Sequence, residues 1–318
     1  MTRRTSHVAR SSAPGKIILF GEHAVVYGHP ALAVPVTQVQ AIVTVTERDG
    51  TPGEIFIEAP DISLFSNLES LPSDHPLAAV IHNVFSALSV TRFPACTMRI
   101  ESTIPVASGL GSGAAVSVAV IRALSSIVHR PLSDEQVNAL TYETEKLHHG
   151  MPSGIDNAVI TYAKPVYFVM GQPIETLRVG APFTLVIGDT GIPALTKESV
   201  GEVRKLWQKE PERFEKIFDA VGQIVRCARR AIENGEIASL GPLMDENHAL
   251  LQQITVSSPE LDRLVEAARR GGALGAKLSG GGRGGNMIAL VAPENAEKVA
   301  AALLHSGARW TITTTIDT

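Results

Sequence analysis

The chain has 318 residues, 44% of them hydrophobic, a net charge of −4 and two cysteines. That length fills one large or two medium domains with ample core, and the acidic balance argues against a dedicated nucleic-acid binder, leaving room for a local basic patch. Cys96 and Cys227 lie in unrelated contexts without metal-ligand spacing, which fits a reducing compartment, and no apolar stretch reaches the length of a membrane span. The basic start Met1-Thr2-Arg3-Arg4-Thr5-Ser6 is not followed by a secretory apolar segment before Lys16, and it reads as a frayed tail.

In chain order, residues 15–20 read as a buried strand ending at Gly21, and 31–36 and 39–47 as two further strands. Asp49-Gly50 marks a turn and a possible hairpin. Residues 75–90 carry helical spacing, and 97–104 form a strand running into a glycine loop. The run from Ala114 to Ile121 is small and apolar on all sides, the profile of a helix buried at the centre of a domain. Ser133 and Gln136 have capping-box spacing, opening a helix to about His149. After a strand at 183–188, the chain turns mainly helical at 197–208, 212–234, 238–255 and 259–270. It closes as strand, glycine loop, strand, helix and strand. The change near residue 180 divides the chain into 1–180 and 181–318.

Three glycine-rich segments stand out. They are Ser12 to Lys16 running on through Gly21-Glu22-His23, then Pro105 to Gly113, then Lys277 to Gly285. Glycine lets backbone approach a ligand closely and turn its N–H groups toward an anion, so three such loops point to a polyphosphate site built from distant segments. The Walker pattern is absent. Gly109-Leu110-Gly111-Ser112-Gly113-Ala114 matches the looser dinucleotide fingerprint, but the acid expected about twenty residues on is missing. Gly281-Gly282-Arg283-Gly284-Gly285 occurs once between apolar runs, so it belongs to a folded strand–loop–strand rather than a disordered RNA-binding repeat.

Several side chains carry two readings. Lys16 in an apolar strand either meets an anion or snorkels to the surface. Glu22 and His23 are either ligand contacts or a surface pair. Glu145, near a helix C-terminus, either meets a cation or pairs with Lys146 or a histidine. Asp156 is either functional or a helix N-cap, and Thr196 shares the N-cap alternative. Arg283 is either a solvated turn residue or an anion contact.

The stretch Ala13-Pro14-Gly15-Lys16 through Gly21-Glu22-His23-Ala24-Val25-Val26-Tyr27-Gly28, together with Glu145 through Asp156-Asn157 and the third glycine loop, resembles the GHMP kinases, in their mevalonate-phosphorylating form, over roughly residues 11–292. The resemblance implies an α+β fold of two domains, an N-terminal ribosomal-protein-S5-like α+β domain and a C-terminal ferredoxin-like α/β sandwich, with ATP and an acceptor alcohol meeting between them. It implies ATP-dependent phosphorylation of the C5 hydroxyl of mevalonate by a cytoplasmic protein that binds neither nucleic acid nor membrane, commonly as a homodimer. Alternatives are another acceptor hydroxyl (mevalonate 3-kinase or a sugar kinase) and a non-catalytic ligand sensor of the same fold.

It also implies roles by position. Asp156 would be the general base, with Lys16 beside it. Pro105, Ser108, Gly109, Leu110, Gly111, Ser112, Gly113, Gly281 and Gly282 would hold ATP. Glu22, a charged His23, Thr196 and Gly280 would contact mevalonate. Glu145, assisted by Ser112, would hold Mg²⁺. Four positions depart from the family pattern: Gly113 replaces a metal-binding serine, Ser279 a threonine, and Arg283 and Asn286 stand where glycine and cysteine are more common.

Overall fold

The computed structural model describes residues 7–90, 92–105, 108–149 and 153–317. They form two compact units that interleave along the chain: Met1–Gly15, Val39–Pro105 and Gly111–Ala163 in one, Lys16–Gln38, Val106–Leu110 and Lys164–Thr318 in the other. The first six residues, read as a tail, lie outside the described residues.

Two long strands pass from one unit into the other, β1 (Val8–Phe20) and β2 (Ala31–Glu47). The strand expected at 15–20 thus begins at Val8, because Ala9 and Ala13 turn inward while Arg10 and Ser12 face out. The two strands expected at 31–36 and 39–47 are one. Exposed Thr37 and Gln38 interrupt the burial pattern but not the extended backbone.

In the first unit, β2 is followed by β3 (Ile55–Ala59), β4 (Leu64–Asn67), α1 (Pro76–Leu88) and β5 (Cys96–Ser102). Strand β5 pairs antiparallel with β2, Met98 opposite Val45, and parallel with β3, Met98 opposite Ile57. The possible hairpin at Asp49-Gly50 therefore does not form: β5, with Cys96, Met98 and Ile100 buried in alternation, sits between the two strands the turn connects. The unit is completed by α2 (Ser112–Ile127), α3 (Asp134–His149) and α4 (Ile155–Tyr162). Helix α2 touches α1, α3, α4 and β5, which explains its apolar residues on every side. The capping box at the start of α3 forms in both directions, Ser133 N to Gln136 Oε1 at 3.0 Å and Gln136 N to Ser133 Oγ at 3.4 Å.

In the second unit, short β6 (Val166–Phe168) pairs with the first half of β2 and with β7 (Glu175–Thr176). There follow β8 (Phe183–Asp189), α5 (Thr196–Lys209), α6 (Pro211–Asn234), α7 (Leu240–Gln253), α8 (Pro259–Gly271), β9 (Gly275–Ser279), β10 (Asn286–Val291), α9 (Ala296–His305) and β11 (Trp310–Ile316). The antiparallel sheet has the order β11-β8-β10-β9, the ferredoxin-like arrangement expected for the C-terminal half. Phe214, Phe218, Val221 and Val225 lie on one stripe of α6, and its core packs Phe214, Phe218 and Val221 with Leu261, Leu264, Leu278, Met287 and Val299. Among the described residues no helix is long and apolar enough to cross a membrane.

Candidate active site

The second unit gathers parts of all three glycine segments. Lys16 is 4% exposed, and its Nζ donates to Gly109 O at 3.1 Å while its backbone N donates to Leu110 O at 2.9 Å. The lysine read as either paired or snorkelling is thus buried against the second loop. Asn286 Nδ2 donates to Ser108 O, joining that loop to the start of β10.

After β1, Gly21 turns the chain with φ +97°; a side chain there would strike the backbone of Pro30 and Ala31. Glu22 and His23 follow, and the surface pair considered for them does not exist: both are buried. Glu22 forms an ion pair with Lys277 of β9, and the Gly280 amide also faces its carboxylate. Burial pushes Glu22 up and Lys277 down, and their mutual attraction opposes both shifts. His23 has the left-handed φ of 61°, and its Nε2–H donates to Gly281 O at 3.0 Å. Burial, assisted by the charge of Arg283, lowers its pKa to about 4, against the hydrogen bond to Gly281. A charged His23 was expected from the sequence; the structure makes it neutral at ordinary pH, because desolvation outweighs its one hydrogen bond. Among the described residues, Glu22 Oε2 and His23 Nδ1 have no hydrogen-bond partner.

The third loop connects β9 to β10 as a strand–loop–strand, with Ser279 opposite Asn286. Gly280, Gly282 and Gly285 have φ of +87°, +74° and +69°, and a side chain at Gly282 would strike Val256 O. Arg283 is a partly exposed turn residue: it pairs with Glu202 of α5, and its Nε donates to Thr255 O at 3.2 Å. Thr196 is the first residue of α5, with Leu195 at the N-cap, so it is not the cap itself. It is exposed, and a side chain on Gly281 would begin 2.7 Å from its Oγ1.

The first unit holds the remaining candidates. Half-buried Pro105 follows β5, and Gly111, left-handed at φ 76°, is the N-cap of α2. Ser112 and Gly113 form its first turn, where unpaired amides and the positive helix end favour an anion. Glu145 on α3 is 6% exposed, and a side chain at Gly113 would begin 3.4 Å from its Oε1. The surface pairing considered for Glu145 is not formed with Lys146, which bonds Glu143 at 2.7 Å. Asp156 lies half-buried in the first turn of α4; Gly154 is the N-cap, so Asp156 is not. Helices α2, α3 and α4 touch one another, which brings the elements carrying Gly113, Glu145 and Asp156 together.

Lys277 and Asn286 are the residues that sequence reasoning missed as site components. The signal for Lys277 was present: a lysine in the apolar run Ala276-Lys277-Leu278 invites the argument that singled out Lys16.

Residues 77–164 match the GHMP kinases N terminal domain, and residues 228–308 match the GHMP kinases C terminal domain. The mevalonate kinase of Pyrococcus horikoshii is 38% identical over 317 residues, covering 93% of this chain and 92% of the relative. The crystal structure of L. major mevalonate kinase in complex with R-mevalonate superposes with a TM-score of 0.85 at 30% identity, covering 99% of this chain and 98% of that one. The Methanococcus jannaschii mevalonate kinase structure gives 0.82 at 27% identity, covering 99% of each chain. The chain belongs to the GHMP kinases and, among them, to the mevalonate kinase family.

Proposed function

We propose that this protein transfers the γ-phosphoryl group of ATP to the C5 hydroxyl of (R)-mevalonate, giving 5-phosphomevalonate for isoprenoid synthesis. The observation that carries this reading is the clasping of the three glycine segments in one unit: Lys16 to Gly109, Asn286 to Ser108 and His23 to Gly281. The division of the chain at residue 180 is supported by the second sheet, whose strands all follow that point.

The loop from Ser108 to Ser112, continuing into the first turn of α2, would cradle the ATP phosphates, with Pro105 and Gly113 at its borders and Gly281 and Gly282 adding backbone from the third loop. Phosphoryl transfer has a loose transition state, so positioning and charge neutralisation supply most of the rate. Lys16 would offset negative charge, and Asp156 would take the acceptor proton late. Thr196, Gly280, Glu22 and His23 would contact mevalonate. Neutral His23 and paired Glu22 suit hydroxyl groups rather than the substrate carboxylate.

Mg²⁺ fits the residues present. Among the described residues no cluster of three or more His, Cys, Asp or Glu could cage a metal, but buried Glu145 beside Gly113 offers the single carboxylate that Mg²⁺ needs when phosphates and water fill its other positions. When bound, the ion would neutralise phosphate charge. Glu145 would hold it, with Ser112 as a second ligand.

The test is ³¹P and ¹³C NMR of the product formed from ATP, Mg²⁺ and mevalonate. Phosphate on the C5 oxygen is expected; phosphate on the C3 oxygen, or no product with ATP bound, overturns the reading. Asp156→Ala is expected to abolish turnover and spare ATP binding. We also place the enzyme in the cytoplasm as a homodimer. Unpaired Cys96 and Cys227 support a reducing compartment, and the family resemblance supports the dimer, which light scattering checks.

A further inference from the structure

We infer that Lys277 is a positioning residue, which holds Glu22, and with it the turn after β1, against the third glycine loop. Three contacts join these segments, each bridging more than two hundred residues. Ser279 Oγ donates to Ile18 O at 2.6 Å, Lys277 pairs with Glu22, and His23 Nε2 donates to Gly281 O at 3.0 Å. Lys277 and Ser279 are two apart on β9 and so share a face, which places both against the end of β1 and the turn beyond it.

The Lys277 contact differs in kind from the other two. Its side chain is 0% exposed and that of Glu22 is 1% exposed, so water cannot replace either partner. Lys277 Nζ also donates to Leu278 O at 2.6 Å and lies 5.9 Å from the centre of the Phe20 ring. Behind it, the Leu278 amide donates to His248 Nδ1 at 3.3 Å, fixing the strand from its other side. A buried ion pair gains little net stability over well-packed apolar residues, but removing one partner leaves an uncompensated charge. Such a pair suits register more than stability. Here it sets which carboxylate oxygen of Glu22 is engaged, and Oε2 is left without a partner among the described residues.

Among the described residues, the other titratable or charged groups facing this region include His23 on the turn, Arg283 near His23, His248 of α7, which itself faces Asp262 and Arg269, and Asp245 of α7, which pairs with Arg269 and accepts from Ala276 N at 3.0 Å. Both histidines titrate at about 4, so neither produces a limb above neutral pH.

The test compares Lys277→Met, Glu22→Gln/Lys277→Met and wild type by the pH dependence of kcat/KM for mevalonate. In Lys277→Met, Glu22 is tolerated in place only when protonated. Its kcat/KM is therefore expected to fall as pH rises, by about tenfold per pH unit above the new pKa. The double variant, neutral at this site at every pH, is expected to lose that limb. Tryptophan emission gives a readout independent of turnover: Trp207 lies 5.3 Å from Tyr27, in the helical turn that follows His23. Emission of Lys277→Met should change along the same limb. A Lys277→Met profile parallel to wild type, or a limb persisting in the double variant, overturns the inference. If Lys277→Met fails to fold, the double variant decides: with the buried charge gone it should fold and show no fall with rising pH beyond that of wild type, and its failure to fold overturns the inference too. The assay rests on the mevalonate reading, which wild-type turnover tests separately.

Discussion

Gly113 gives the sharpest test of the metal assignment, because the structure says what a side chain there would meet. Its φ is not left-handed, it lies exposed in the first turn of α2, and an added Cβ would sit 3.4 Å from Glu145 Oε1 with no closer obstruction. Gly113→Ala should therefore fold without strain and gain about 0.5–1 kcal/mol from helix propensity, and Gly113→Ser roughly half of that. Each kcal/mol is worth about 2–4 °C in Tm for a protein near this size, so both variants should melt slightly above wild type. The variants part company in function. Serine adds a hydroxyl within reach of Glu145 that could replace a water on the ion, whereas alanine adds only a methyl. A hydrogen bond to a charged group is worth about 1.5 kcal/mol, so the half-saturating Mg²⁺ concentration of Gly113→Ser should fall by up to about tenfold, with Gly113→Ala unchanged. The assay is a Mg²⁺ titration of kcat/KM at fixed ATP, alongside thermal unfolding. If serine and alanine titrate identically while both fold, Glu145 does not face the ion from this side and the metal assignment falls.

Acid stability should follow from two buried histidines. His23 and His248 both fall from 6.5 to about 4, burial being the main cause. Above pH 6.5 both are neutral in the folded and unfolded states; between 6.5 and about 4 the unfolded chain takes up protons that the folded one excludes, so stability is lost as the pH is lowered. The slope is about 1.4 kcal/mol per pH unit for each histidine, and His248→Gln should remove one such contribution from urea unfolding followed across this range. Arg283 has φ 59°, so Arg283→Gly relieves a left-handed strain that Arg283→Ala keeps, and the glycine variant should be the more stable by about 1 kcal/mol; equal melting would refute this. Gly282→Ala forces a side chain into Val256 O at φ +74° and breaks the bond from Arg283 N, so it should cost about 2–3 kcal/mol in chemical unfolding.

The parts of this protein that could be read from sequence are those whose cause is local. Helix α2 was legible because small apolar residues on every side leave no solvent face, and α3 because Ser133 and Gln136 state their own cap. The ends of β1 and β2 were not, because a strand's extent depends on its partner. Polar Arg10, Ser11 and Ser12 remain in β1 through its pairing with β2, and Thr37 and Gln38 remain in β2 despite their exposure. The charge state of His23 shows the same limit. Sequence offers a histidine beside a glutamate, either ligand contacts or a surface pair, and the family resemblance makes the histidine a charged contact. Only the fold reveals that this glutamate is already engaged by Lys277, 255 residues away, and that the ring is buried against Gly281. A buried cation inside an apolar run was treated as informative at Lys16 and passed over at Lys277, although the same sequence argument applies to both. The chemistry of this site thus depends on a pairing that composition and spacing do not encode. Whether Glu22 accepts a substrate hydroxyl or only holds a loop follows from which of its oxygens Lys277 occupies.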